Sequence, residues 1–191
     1  MTRKRRIRKK KKLNFFLTFT FIILLASMVL SFCGKKVMTE TEDEVKQKYL
    51  SEFEGIATDI AKRYELFPSV VLAQSAHESN FGRSKLSSEF NNYFGIKANE
   101  GEEKVSLDTT EYIDGEATVE NENFRKYSNP KESFKSYGEL ITKAERYKPV
   151  VEAKDYKEAC IELQKNGYAT DPDYASKLIN IIEVYELYKL D

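Results

Sequence analysis

Glu78 stands one turn before the end of a stretch that reads as a helix, and its neighbours bear on what its carboxyl can do. Pro68 suits the first turn of a helix, where its missing N–H is no loss, and Gly82 suits the left-handed residue that closes one. Between these two signals Val71, Gln74, Ser75 and Glu78 recur at three- and four-residue spacing and share a face, while Ala73 and Ala76 are small enough to let another element approach. The C-terminal end of a helix carries the negative pole of its dipole. A second negative charge is disfavoured there, which raises a carboxyl pKa, and more so in a dry site. A carboxylic acid that stays protonated near neutral pH can protonate the leaving oxygen of a glycosidic bond. The same residues also fit a solvated glutamate at an ordinary helix end, next to Asn80 and Gly82.

Other chemistries are poorly supplied. His77, the only histidine, adjoins Glu78 and invites a metalloprotease reading, but HExxH needs a second histidine at position 81, which is Phe81. With one histidine and no cysteine pair, a protease triad lacks its base. The two cysteines, Cys33 and Cys160, lie far apart and follow no metal-binding spacing, so Cys160 reads as a small buried hydrophobe.

The wording of residues 68–98, PSVVLAQSAHESNFGRSKLSSEFNNYFGIKA, is more specific than any one residue in it. It resembles the catalytic segment of the bacterial N-acetylglucosaminidases of glycoside hydrolase family 73, peptidoglycan hydrolases of the autolysin and flagellar-hydrolase type. Their pattern runs L-A-Q-small-small-x-E-S-x-aromatic-G and then N-N-x-F-G-I-K. The resemblance extends from about Tyr49 to the C-terminus and implies Glu78 as the general acid. It also implies substrate contacts from Gln74, Phe81, Asn91, Asn92 and Phe94. A further block, Y-A-T-D-P-x-Y, brings in Tyr168 and Tyr174, whose rings and hydroxyls suit sugar, with Asp171 more simply an N-cap. Phe81 departs from the family in standing where many members carry tryptophan, and the chain has no tryptophan at all.

Family members are proposed to carry a second carboxylate on a hairpin across the groove, and Thr109-Thr110-Glu111-Tyr112 resembles that place. Glu111 is the candidate for base or charge stabiliser, with Asp108 and Glu120 as rivals. A carboxylate on the strand face that also holds Val105 and Leu107 needs a partner or a role. The implied reaction is hydrolysis of the β-1,4 bond between N-acetylglucosamine and N-acetylmuramic acid in cell-wall glycan strands. Water is the acceptor, and no metal or cofactor is implied. One rival is a muramidase or lytic transglycosylase on a similar fold, although those usually follow the glutamate with G-x-M-Q where this chain has Asn92-Tyr93-Phe94-Gly95. Another is a catalytically weak wall-binding or scaffold subunit that holds glycan for a membrane-protein partner.

The elements that would position these residues are mostly helical. Thr41 and Glu44 form a capping-box signal, and Val45, Tyr49, Phe53, Ile56, Ile60 and Tyr64 fall on one helical stripe. Residues 85–90 read as a short helix or turn. From 103 to 127 the period changes to that of a strand, with Asp114-Gly115 as a type I′ turn between two strands. Asn129-Pro130 with Glu132 starts a helix carrying Phe134, Tyr137, Ile141 and Ala144. Another through Tyr156, Cys160 and Leu163 ends at Gly167, and Asp171-Pro172 starts the last, with Tyr174, Leu178, Ile181, Ile182 and Tyr185 inward. Helices around one hairpin match the α+β, lysozyme-like fold that the resemblance implies.

Charge divides the chain of 191 residues, whose formal net charge is zero. Nine Lys and Arg precede residue 13, and from Val37 onward 20 Lys and Arg face 31 Asp and Glu, a net of −11. An acidic domain has no electrostatic attraction for nucleic acid, and the basic tail has no interleaved aromatic residues on which bases would stack. Residues 13–33 are 21 without a charge, long enough at about 1.5 Å per residue to span a hydrocarbon core of roughly 30 Å. The expected organisation is a basic cytoplasmic tail at 1–12, an uncleaved single-pass anchor at 13–34, a juxtamembrane connector at 35–40, and one catalytic domain at 41–191. The positive-inside rule then places that domain outside the membrane.

Overall fold

The first helix, α1 (Glu42–Tyr64), begins with the expected capping box: Thr41 Oγ1 accepts from Glu44 N at 3.2 Å, and Glu44 Oε2 accepts from Thr41 N at 2.7 Å. The computed structural model describes residues 40–113 and 116–191, with the side chains of 109–120 left out. The basic tail, the apolar run and the connector up to residue 39 lie outside the described residues. Among the described residues, no helix is long and apolar enough to cross a membrane. Acidic residues in the first turn of α1 and Lys62 and Arg63 in its last complement the helix dipole. Tyr49, Phe53 and Ile60 face the core as the stripe requires, joined by Leu50, Ala57 and Ala61, while Val45, Ile56 and Tyr64 are only partly buried.

The second helix, α2 (Pro68–Glu78), is buried on every face from Ser69 to Ala76, so it is the central rod of the domain rather than an amphipathic surface helix. Helix α1, the last helix and the C-terminal turn all pack against it. Its N-terminus has no local side-chain cap. Asp191, 122 positions away, supplies one: Oδ1 accepts from Ser69 N at 2.9 Å and Oδ2 from Ser69 Oγ at 2.6 Å. The C-terminal end departs from expectation. Gly82 is left-handed, with φ of 75°, but the helix stops at Glu78, so Glu78 is its last residue rather than one turn inside. The cause is Ser79, whose buried hydroxyl donates to Ser75 O at 2.5 Å and accepts from Gly82 N at 2.8 Å. That bond pins a turn in which Asn80 and Phe81 are left-handed as well.

A short helix, α3 (Lys85–Phe90), starts at the Ser84 cap and ends at left-handed Asn91. The hairpin follows as β1 (Lys104–Ile113) and β2 (Glu116–Arg125), antiparallel with Lys104 opposite Arg125 and Ile113 opposite Glu116. The turn expected at Asp114-Gly115 lies outside the described residues. The base of β2 is tied to the segment before β1, with Arg125 N donating to Ile96 O and Ala98 N to Asn123 O, both at 2.9 Å.

Helix α4 (Pro130–Lys143) is capped by Asn129 and buries Phe134, Tyr137 and Ile141, as its spacing predicts, together with Gly138, while Ala144, expected with them, caps the end of the helix and is only partly buried. The 3-10 turn Glu145–Tyr147 and helix α5 (Lys148–Val151) follow, neither of which the periodicity shows. Next come α6 (Tyr156–Lys165), α7 (Tyr174–Val184) and a 3-10 turn, Leu187–Leu190. Asp171 is not the N-cap of α7. The helix starts two residues later than such a cap would allow, and the Asp171 carboxylate accepts from Asp173 N at 2.9 Å and pairs with Lys177. With no tryptophan, the core is filled by tyrosine and phenylalanine: Phe53 stacks on Phe134 with centroids 5.7 Å apart, and Phe94 on Tyr137 at 4.2 Å. Such pairs add about 0.5–1.5 kcal/mol beyond the area they bury.

Candidate active site

Gln74 and Glu78 are one turn apart on α2 and point the same way, toward the N-terminus of α7. There Tyr174 Oη donates to Glu78 Oε1 at 2.6 Å and accepts from Gln74 Nε2 at 2.9 Å. Gln74 Oε1 in turn accepts from Tyr137 Oη of α4. Three helices are thus joined by one buried relay that ends on a carboxyl oxygen. Gln74 and Tyr174 are 0% and 1% exposed. Expected from sequence as substrate contacts, they sit behind the acid instead and have no surface to offer a ligand.

Glu78 itself is partly buried and borders a cleft of about 820 Å³. Burial penalises its charged form and outweighs the Tyr174 hydrogen bond, which favours that form, so its carboxyl is pushed up to about 7. The second oxygen, Oε2, faces Gly95: a Cβ built there would lie 4.0 Å from it, and the φ of 63° is one that residues with a side chain rarely adopt. The chain therefore crosses in front of the acid without a side chain in the way.

The Asn91-Asn92 block holds that crossing in place. Asn92, 1% exposed, donates from Nδ2 to Ile96 O and Arg125 O, each at 2.9 Å, and accepts at Oδ1 from Phe94 N and Ile96 N. All its hydrogen-bonding capacity is used within the protein. Asn91 is the left-handed end of α3, and its amide donates to Tyr127 O at 3.1 Å. Phe94 is 2% exposed, with its ring in the core. Asn92 therefore supports the groove from within, one layer behind its expected place, and Phe94 borders the cleft as expected but with its ring packed into the core behind it.

Tyr168 comes closest to its expected place. Its ring lines the cleft, stacked on Tyr174 with centroids 5.8 Å apart, while its hydroxyl is committed to Phe94 O at 3.1 Å. Phe81 goes elsewhere. It packs edge-on against Tyr49 and Tyr185, at 5.9 and 6.2 Å, and is not part of the lining that holds Glu78. His77 meets the Tyr174 ring edge-on at 5.5 Å, and burial lowers its pKa. The side chains of Glu111 and Glu120 lie outside the described residues. Asp108 is exposed and accepts from Asn121 Nδ2 at 2.8 Å. Sequence reading passed over Tyr137, whose spacing marked it only as core, and marked Gly95 only as part of the N-N-x-F-G-I-K block, without a role.

A family model described as "Glucosaminidase: Mannosyl-glycoprotein endo-beta-N-acetylglucosaminidase" matches residues 54–187. The chain belongs to the glucosaminidase family. The glucosaminidase chain is 38% identical to exo-glucosaminidase LytG of Bacillus subtilis over 192 residues, which cover 96% of this chain and 68% of that protein. It is 38% identical to peptidoglycan hydrolase FlgJ of Salmonella typhimurium over 120 residues, 60% of this chain and 38% of that one. Among solved structures, the catalytic domain of the autolysin Auto from Listeria monocytogenes superposes with a TM-score of 0.68 at 35% identity. It covers 87% of this chain and 97% of that domain.

Proposed function

We propose that Glu78 is the general acid of a peptidoglycan hydrolase that cuts the β-1,4 bond on the reducing side of N-acetylglucosamine. The enzyme is a glycoside hydrolase of N-acetylglucosaminidase type acting on cell-wall glycan. One observation carries the assignment of the acid. Glu78 has one oxygen tied to Tyr174 and the other open to the cleft across Gly95, with its pKa near 7. Tyr174 fixes the carboxyl group, so Oε2 carries the proton toward the glycosidic oxygen of a strand passing over Gly95. Placing the acid in advance in this way contributes to rate alongside proton transfer itself.

Glu111 is the second carboxylate in this reading, acting as base or charge stabiliser from β1, with Asp108 and Glu120 as the other candidates on the hairpin. The domain works outside the cell membrane, held by a single N-terminal helix at 13–34. The nine basic residues before an uncharged run of 21 support that placement. Internal cutting of strands fits the endo description of the family, whereas the Bacillus relative bears an exo name.

Mass spectrometry of glycan digested by residues 41–191 tests the reading. New reducing ends should be N-acetylglucosamine, on fragments of many lengths. Muramic or anhydromuramic ends would point to a muramidase or lytic transglycosylase, release of single sugars to an exo-acting enzyme, and intact strands to a wall-binding subunit.

A further inference from the structure

Arg146 borders the same cleft as Glu78, yet the glycosidic chemistry has no use for it. It stands exposed on the 3-10 turn after α4, beside Tyr147, which is buried at 1% exposure. The guanidinium lies over the Tyr147 ring, 4.5 Å from its centroid, and Tyr147 meets Tyr168 at 5.9 Å. A guanidinium held on an aromatic face keeps its N–H edge available and has already given up part of its rotamer freedom before a ligand arrives. The other charged groups of the cleft are engaged. Lys97 pairs with Glu122 at 2.9 Å, Asp171 with Lys177, and Glu78 accepts from Tyr174. Among the described residues, Arg146 makes no ion pair.

The domain around it is acidic, with a net of −11 from Val37 onward, and so opposes the approach of an anionic strand. Muramic units carry carboxylates, either the lactyl acid itself or the acids of the stem peptide joined to it, whereas N-acetylglucosamine units carry none. We propose that Arg146 binds a carboxylate of the muramic unit, and so makes this cleft select muramyl strands over uncharged N-acetylglucosamine polymers. The fork of the guanidinium matches a carboxylate in two parallel hydrogen bonds, which lysine cannot reproduce. This deepens the peptidoglycan-hydrolase reading above and rests on it for the substrate class.

The test compares Glu78→Gln with the double variant Glu78→Gln/Arg146→Gln, so that binding is read by calorimetry without turnover. Soluble strands are offered in four forms: with stem peptides or stripped of them by an amidase, each before and after its carboxylates are capped as methylamides. Arg146→Gln should weaken binding of uncapped strands about 3- to 10-fold, a modest ratio for an exposed pair, and leave capped strands unchanged. In the active background, the same substitution should raise KM by that ratio with kcat nearly constant, and Arg146→Lys should recover only part of it. An effect confined to stem-bearing strands assigns the stem carboxylates, and one seen on stripped strands assigns the lactyl acid. Equal loss on capped and uncapped strands, or no loss on either, overturns the proposal. Selective binding without any cleavage by the wild-type domain would instead overturn the hydrolase reading and leave the role of Arg146 intact.

Discussion

The two oxygens of Glu78 meet different surroundings, and the difference sets what each substitution should do. Glu78→Gln keeps the shape and a hydrogen-bonding group but has no proton to give, so kcat should fall by at least about 10² to 10⁴ in a folded protein. Wild-type activity should decline as pH rises through about 7, where the acid loses its proton. The same titration bears on stability. The carboxyl titrates near 4.5 in the unfolded chain and near 7 in the fold, so stability falls as pH rises across that window and burial of the charge is complete above it. Thermal unfolding should therefore show Glu78→Gln gaining on wild type between those values, and a difference independent of pH would contradict the burial. Tyr174→Phe removes a donor that favours the charged form, so the alkaline limb of its pH–rate profile should move upward. That variant also leaves the Gln74 amide unpaired in the core, at about 1–3 kcal/mol. An unshifted limb would mean that Tyr174 does not tune the acid.

Helix α2 presents the acid only because other elements hold both of its ends. At the far end Asp191 does the work of an N-cap that Phe67 cannot do. Asp191→Ala should cost about 0.5–2 kcal/mol in urea unfolding while leaving kcat near wild type, since it acts at the opposite end of an 11-residue helix from Glu78. At the near end, the Asn92 side chain fastens the 94–96 crossing to the base of the hairpin, which couples the hairpin to the acid. If Glu111 supplies the second carboxylate from that hairpin, Glu111→Gln should lower kcat by about 10² or more with little change in thermal stability. Normal turnover in that variant, with the loss appearing in Asp108→Asn or Glu120→Gln, would move the role to one of those residues.

The molecule as a whole sets a basic first dozen residues and an uncharged run of 21 against an acidic domain. If the run is an uncleaved anchor, intact protein should stay with the membrane fraction, and external protease should remove the domain from whole cells lacking the wall. A mature chain beginning near residue 35 in the medium would refute this. The domain's acidity opposes an anionic strand at long range, so moderate added salt should speed association by screening that repulsion, while weakening the exposed Arg146 contact inside the cleft.

Residue types and their spacing were enough to mark the capping box of α1, both strands of the hairpin and the start of α4, because each depends on neighbours within a few positions, whereas Glu78 was singled out by the wording of residues 68–98 as a whole. Periodicity likewise found Tyr137 and Tyr174 as inward-facing, but could not say inward toward what. That Gln74 and Tyr174 stand behind the acid, that Asn92 supports the groove from within, and that Phe81 turns away from it were decided by packing between elements distant in sequence. The relay from Tyr137 through Gln74 and Tyr174 to Glu78 draws on three helices, and the cap at Ser69 reaches 122 positions to Asp191. Burial acts in the same way: local sequence placed a carboxyl at a helix end, whereas the desolvation that carries it to about 7 exists only once α4, α7 and the 94–96 crossing close around it.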